Sequence, residues 1–151
     1  MARWNGERGE NPAPDGGMRV NGEIRQLAVT GDGLCARGNF SVAGDAAVRG
    51  LALWHSDKWS DLSPEPPVGV RGGGLTRMAG DSSGLWVSAQ AQGVAQDYPG
   101  LRGDLLCWNG IRWSRLTNCI PELSPAMTVR DGAVYYVGRG LRRWDGTNDV
   151  M

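Results

Sequence analysis

The sequence predicts an all-β chain built from repeated units of about 50 residues. No stretch of 11 or more residues spaces apolar side chains at i, i+3, i+4 and i+7, so no amphipathic helix is written. The apolar runs are short and bounded by turn dipeptides such as Asp32-Gly33, Asn109-Gly110, Asp131-Gly132 and Asp145-Gly146. One phrase occurs twice, as LALWHSDKWSDL at 51–62 and LLCWNGIRWSRL at 105–116. Each copy is an apolar run, a Trp, four intervening residues, a second Trp, a Ser and a closing Leu.

The elements follow in order. ARWNG at 2–6 is similar to LCWNG at 106–110 and RRWDG at 142–146, and reads as the third strand of a unit whose fourth strand is eroded. NPAPDGG at 11–17 reads as a linker, so residues 1–18 form a strand fragment and linker ahead of a repeat domain over 19–151. The first unit, about 22–66, has strands at 24–29 and 34–40, a longer connection, and strands at 51–54 and 58–62, with PEPP closing it. The second, about 70–120, repeats the order with strands at 74–79 and 85–90, a long connection through Tyr98, then 104–108 and 111–116. The third, about 124–151, has strands at 126–129, 133–138 and 141–144 and ends before a fourth can form. The offsets agree: Gly33 to Gly84 is 51 residues, Gly84 to Gly132 is 48, and Trp54 to Trp108 is 54. A four-stranded repeat of about this length is the sequence signature of a propeller blade.

Two phrases carry a family likeness. GDGLCARGNF resembles the strand 1–2 phrase of bacterial kelch-like β-propeller repeats, G-x-L-Y-V-G-G-x-F, and LLCWNGIRWSRL resembles their strand 3–4 phrase, W-[ND]-G-x-x-W. The likeness covers most of residues 19–147. Cys35 and Trp86 stand where those repeats have Tyr, and Arg37 where they have Gly. The resemblance implies blades packed around an axis and says little of activity, because propellers host enzymes, lectins and scaffolds alike. About three four-stranded antiparallel blades are fewer than the four to eight of a closed ring. The expectation is therefore an open arc, or a ring closed by oligomerisation.

Composition narrows the function. Lys+Arg and Asp+Glu both number 16, so net charge is near zero, and no basic tract points to nucleic acid. Fifteen of the 16 cations are Arg, with Lys58 the one Lys. Glycine, at 24 residues, is about double its usual share and clusters in turns. No apolar run reaches the roughly 18 residues of a membrane helix. The N-terminal MARWNGERGE is too polar for a secretory signal, and the localisation stays unknown, with a virion or the cytoplasm among the options.

The chemistry-bearing residues are few. Cys35, Cys107 and Cys119 are odd in number without CxxC spacing and read as free thiols. His55, the one histidine, falls in a tight turn beside Ser56 and Asp57, which suits a turn residue better than a catalytic base. No catalytic residue, metal site or cofactor is expected, and the chain is read as no enzyme. Trp54 with Trp59, and Trp108 with Trp113, read as cross-strand clasps repeated because every unit needs one. Trp86 and Trp144 lack a partner five residues on. With Tyr98 and Trp4, they are the candidate ligand or interface residues.

The leading expectation is a non-catalytic structural or protein-interaction module, joining other subunits as a homo-oligomer or within a virion, tail or surface complex. The alternative is a carbohydrate-binding propeller lectin that stacks a glycan on Trp faces between blades.

Overall fold

Alternating apolar and turn residues make this chain a series of antiparallel meanders. The structure is a computed structural model. It describes residues 3–10, 17, 19–63, 75–89, 102–121, 126–137, 140–146 and 149–150, without the side chains of 3–4, 102–104, 115–121 and 149–150. In chain order the strands are β1 (Arg3–Trp4), β2 (Gly9–Glu10), β3 (Glu23–Thr30), β4 (Gly33–Asn39), β5 (Val42–Ala43), β6 (Ala46–Ala47), β7 (Leu51–His55) and β8 (Lys58–Asp61). They continue as β9 (Leu75–Asp81), β10 (Gly84–Ala89), β11 (Arg102–Trp108), β12 (Trp113–Pro121), β13 (Met127–Arg130), β14 (Ala133–Val137), β15 (Leu141–Trp144) and β16 (Asp149–Val150).

Twelve of these strands form three four-stranded antiparallel sheets: β3-β4-β7-β8, β9-β10-β11-β12 and β13-β14-β15-β16. The strand order expected of each unit is thus present. Two expectations are corrected. The third unit does have a fourth strand, because the chain turns at Gly146, with φ +103°, and Asp149–Val150 pairs with Arg143–Trp144. The N-terminal strand also has a partner: Trp4 pairs with Gly9 and Arg3 with Glu10. The Asn5 side chain closes that hairpin by accepting the backbone N–H groups of Glu7 and Arg8, both at 2.9 Å. Asn109 does the same in the second sheet, accepting from Ile111 and Arg112.

The long connection of the first unit also holds structure not anticipated. Val42–Ala43 and Ala46–Ala47 form a small hairpin around Gly44. It lies on the first sheet, burying Ala43 and Val48 together with Ala36, Ala52, Phe40 and Trp59.

The pleat explains the burial. β10, in the middle sheet, is buried at every position because both its faces are covered. Its one polar side chain is satisfied: Ser88 Oγ lies 2.7 Å from the Thr76 hydroxyl and accepts from Arg77 N at 3.0 Å. β3, at the start of the first sheet, alternates exposed and half-buried positions, and only Thr30 at its end is buried. Two apolar clusters join the sheets. Cys35 and Leu51 meet Met78, Leu85, Val87 and Leu106 between the first and second. Ala79, Trp86 and Leu105 meet Val129, Val134, Tyr136 and Trp144 between the second and third. Burying each large apolar side chain contributes roughly 1.5–3 kcal/mol.

One backbone feature repeats with the sheets. Gly33 and Gly84 open β4 and β10 at φ +145° and +152°. A Cβ there would lie 2.2 Å from the carbonyl oxygen of Trp54 or of Trp108. Only glycine lets the second strand start so close to the Trp of the third.

Candidate functional site

The repeated phrase forms the expected clasp. Trp54 is paired directly with Trp59, and Trp108 with Trp113, across their hairpins. The ring centroids are 5.4 Å and 5.7 Å apart, inclined at 61° and 49°. These are edge-to-face and tilted contacts, the geometry indole quadrupoles favour.

Register assigns each sheet two faces. The front carries the clasp: Leu34, Ala36, Ala52, Trp54 and Trp59 in the first sheet, and Leu85, Val87, Leu106, Trp108 and Trp113 in the second. The back carries the alternate residues, such as Cys35 and Leu51, or Trp86 and Leu105. The clusters show that the front of each later sheet packs on the back of the one before it. The first strands follow suit, with β3 against β9 and β9 against β13.

Polar contacts reinforce the stack. The Gln26 side chain accepts from Met78 N at 2.9 Å and donates to Met78 O, taking the part of a neighbouring strand. Trp113 Nε1 donates to Leu62 O at 3.0 Å. Asp81 accepts from Gly132 N at 3.0 Å. Burial works to raise the Asp81 carboxyl, but hydrogen bonds from Ser83, Gly132 and Gly84 outweigh it and hold the group below the usual carboxylate range.

Among the described residues the stack leaves two faces unmatched: the front of the first sheet and the back of the third. Equivalent residues show the effect. Leu51, Leu105 and Leu141 each stand three residues before the Trp of a third strand. Leu51 and Leu105 are 0% exposed, whereas Leu141 is 70% exposed. On the front, Val29 and Val129 each stand opposite the second residue of the next strand. Val129 is 9% exposed and Val29 is 68% exposed. The β5–β6 hairpin covers the outer strands of the first sheet's front, and Leu27 and Val29 on β3 remain open. The indole N–H of Trp59, the counterpart of Trp113, is buried and has no acceptor among the described residues.

The other sequence candidates fall as follows. Trp86 and Trp144 are 5% and 9% exposed and pack together between the second and third sheets, which leaves no open ring face for a sugar. They lacked a partner five residues on because their neighbours come from another sheet. Trp4 lies in β1, and its side chain, like all of Tyr98, lies outside the described residues. His55 ends β7 and donates from Nδ1 to the Asp32 carbonyl, a structural tie between hairpins. Ser56 and Asp57 sit in the following turn at φ 50° and 60°. Cys35 and Cys107 are free thiols. Among the described residues no three His, Cys, Asp or Glu side chains gather as a metal site would require, and no helix is long and apolar enough to cross a membrane.

A feature that sequence reasoning missed lies where the first strands begin. Arg25, Gln26, Arg37, Leu75, Thr76, Arg77, Ala126 and Met127 line an open cleft of about 610 Å³. Three guanidinium groups from two sheets meet there.

No protein-family model, curated protein or solved structure matches this chain.

Proposed function

We propose that the chain is a propeller-like arc that acts without catalysis, by assembling head to tail through its two open sheet faces. The observation that carries this reading is the burial of Leu51 and Leu105 against the exposure of Leu141 at the equivalent place. A face that buries apolar side chains at each internal junction is left bare at the end of the stack, where it tends to find a partner. The bare front of the first sheet, with Leu27 and Val29, is of the same kind as the fronts that cover such backs within the chain. Repetition of one front-to-back contact is a heterologous interface, which closes a ring when the rotation per unit allows it. Three sheets per chain and two chains make six units, within the four to eight typical of closed propellers. The partner we infer is a second copy of this chain.

Light scattering after size exclusion tests this. A mass near twice 16.2 kDa is expected. A monomer at every concentration up to about 100 μM would overturn the reading.

A further inference from the structure

We propose, resting on the assembly inferred above, that the β5–β6 hairpin is a strap that regulates it. The hairpin sits where a preceding sheet would sit, and a second copy seats fully only when it lets go.

Place for place, the strap stands in for a sheet. The fronts of the second and third sheets are each covered by the back of the sheet before. The front of the first sheet is covered over its outer strands by the hairpin, with β6 lying against β8. Ala43 and Val48 pack there on Ala36, Ala52 and Trp59. Counterpart residues show how this overlaps a docked copy. Leu51, on the first back, clusters with Met78, Leu85 and Val87 of the second front. Counted back by 51 residues, the spacing of Gly33 and Gly84, these become Leu27, Leu34 and Ala36 of the first front. The third back offers Leu141 in the place of Leu51, paired directly with Val137, which is also exposed. Of the three residues that Leu141 of a second copy would meet, Leu27 is open, Leu34 is packed into the strap's cluster, and Ala36 is fully buried in it.

The strap is held lightly. Its strands have two residues each, and so short a hairpin is marginal by itself. It buries alanines and Val48, whereas the sheets are joined through Leu, Tyr and Trp. Its base is tied to the chain just ahead of β3. Asn21 Oδ1 accepts from Ser41 N at 2.9 Å and Val42 N at 3.0 Å, and Gly44 N donates to Arg19 O at 2.7 Å. The fit over the clasp is incomplete as well. Beneath a sheet, Trp113 Nε1 has Leu62 O at 3.0 Å. Beneath the strap, the Trp59 N–H is buried with no acceptor among the described residues. The closed strap carries the cost of that unpaired donor. A partner that binds the open form has its apparent affinity reduced by the fraction of molecules that are open. The strap thus sets the concentration at which copies join.

Hydrogen exchange of the full chain, compared between dilute and concentrated samples, tests this. The amides of Gly44 and Val48, bonded to Arg19 O and Ser41 O, report the strap. They should exchange about tenfold or more faster in the assembled protein than in the monomer, while the amides of β7 keep or gain protection. Asn21→Ala, at an exposed position, removes two bonds that hold the strap and should tighten association about fivefold or more by light scattering. An assembled wild type whose strap amides are as protected as in the monomer would overturn the strap and leave the assembly standing. So would a folded Asn21→Ala that associates no more tightly than the wild type. Wild type and variant both monomeric up to about 100 μM would overturn the assembly and the strap together. Where Asn21→Ala does not fold, exchange in the wild type decides alone.

Discussion

The indole N–H of Trp113 reaches 3.0 Å across a sheet boundary to the carbonyl oxygen of Leu62, the residue just beyond the first sheet's last strand. One side chain thus serves a sheet junction and its own hairpin, where its ring packs on Trp108. Trp113→Phe keeps a ring and removes the donor, leaving the Leu62 carbonyl unpaired. Urea denaturation should show a loss of about 1–2 kcal/mol. Trp59→Phe removes an N–H that has no acceptor among the described residues, and should cost less although Trp59 is the more deeply buried ring.

Gln26 stands in for a strand by bonding both backbone groups of Met78. Gln26→Leu would strand both groups at the first junction. A destabilisation of about 2–3 kcal/mol is expected by thermal or urea unfolding, and Gln26→Asn, one methylene short, should recover little of it.

Gly33→Ala and Gly84→Ala each place a methyl group 2.2 Å from a backbone oxygen at positive φ. Each should destabilise by about 2 kcal/mol or more, while Gly9→Ala, with nothing within 4 Å, should be close to neutral in the same assay.

Cys35 supplies a pH signature. Burial pushes its thiol up to about 11 from 9.0; a hydrogen bond from Thr30 opposes the rise, and Asp32 adds to it. The folded thiol therefore holds its proton where the unfolded one gives it up. Its contribution is complete below pH 9 and is lost as pH rises from 9 through 11, at up to about 1.4 kcal/mol per pH unit. Unfolding free energies measured across that window should fall more steeply for the wild type than for Cys35→Ala. Thiol reagents should leave Cys35 untouched in the native protein at neutral pH.

Leu141→Asp should abolish the oligomer while leaving the melting temperature of the monomer within a few degrees, because Leu141 is exposed in the single chain. Val29→Asp, on the opposite open face, should do the same. A mixture of the two variants should recover only open dimers, since one matched pair of faces remains between them.

Much of this fold was legible in the sequence because its signals are local. Two tryptophans flanking a four-residue hairpin must face each other, and Asp-Gly and Asn-Gly pairs fix where strands stop. The β5–β6 hairpin was less visible, because two-residue strands are too short to show alternation and only Gly44-Asp45 marks their turn. The strand completing the third unit is equally short. Which side chains meet between sheets was not legible in the sequence. The burial of Trp86 depends on Val134 and Tyr136, about 50 residues away, and the exposure of Leu141 depends on a neighbouring sheet being absent. Arg25, Arg37 and Arg77 are scattered through the chain, and only the packing of β3 and β4 beside β9 gathers them.

The two tryptophan clasps also make the molecule an optical instrument. Indoles 5.4 Å and 5.7 Å apart at fixed tilt are close enough to couple their excited states, and paired bands of opposite sign are the expected outcome in far-ultraviolet circular dichroism. One couple belongs to the first sheet and one to the second. Replacing a single ring silences one couple, so the other reports on its own sheet alone. Comparing the two records during unfolding would reveal whether neighbouring sheets melt as one body or come apart in sequence.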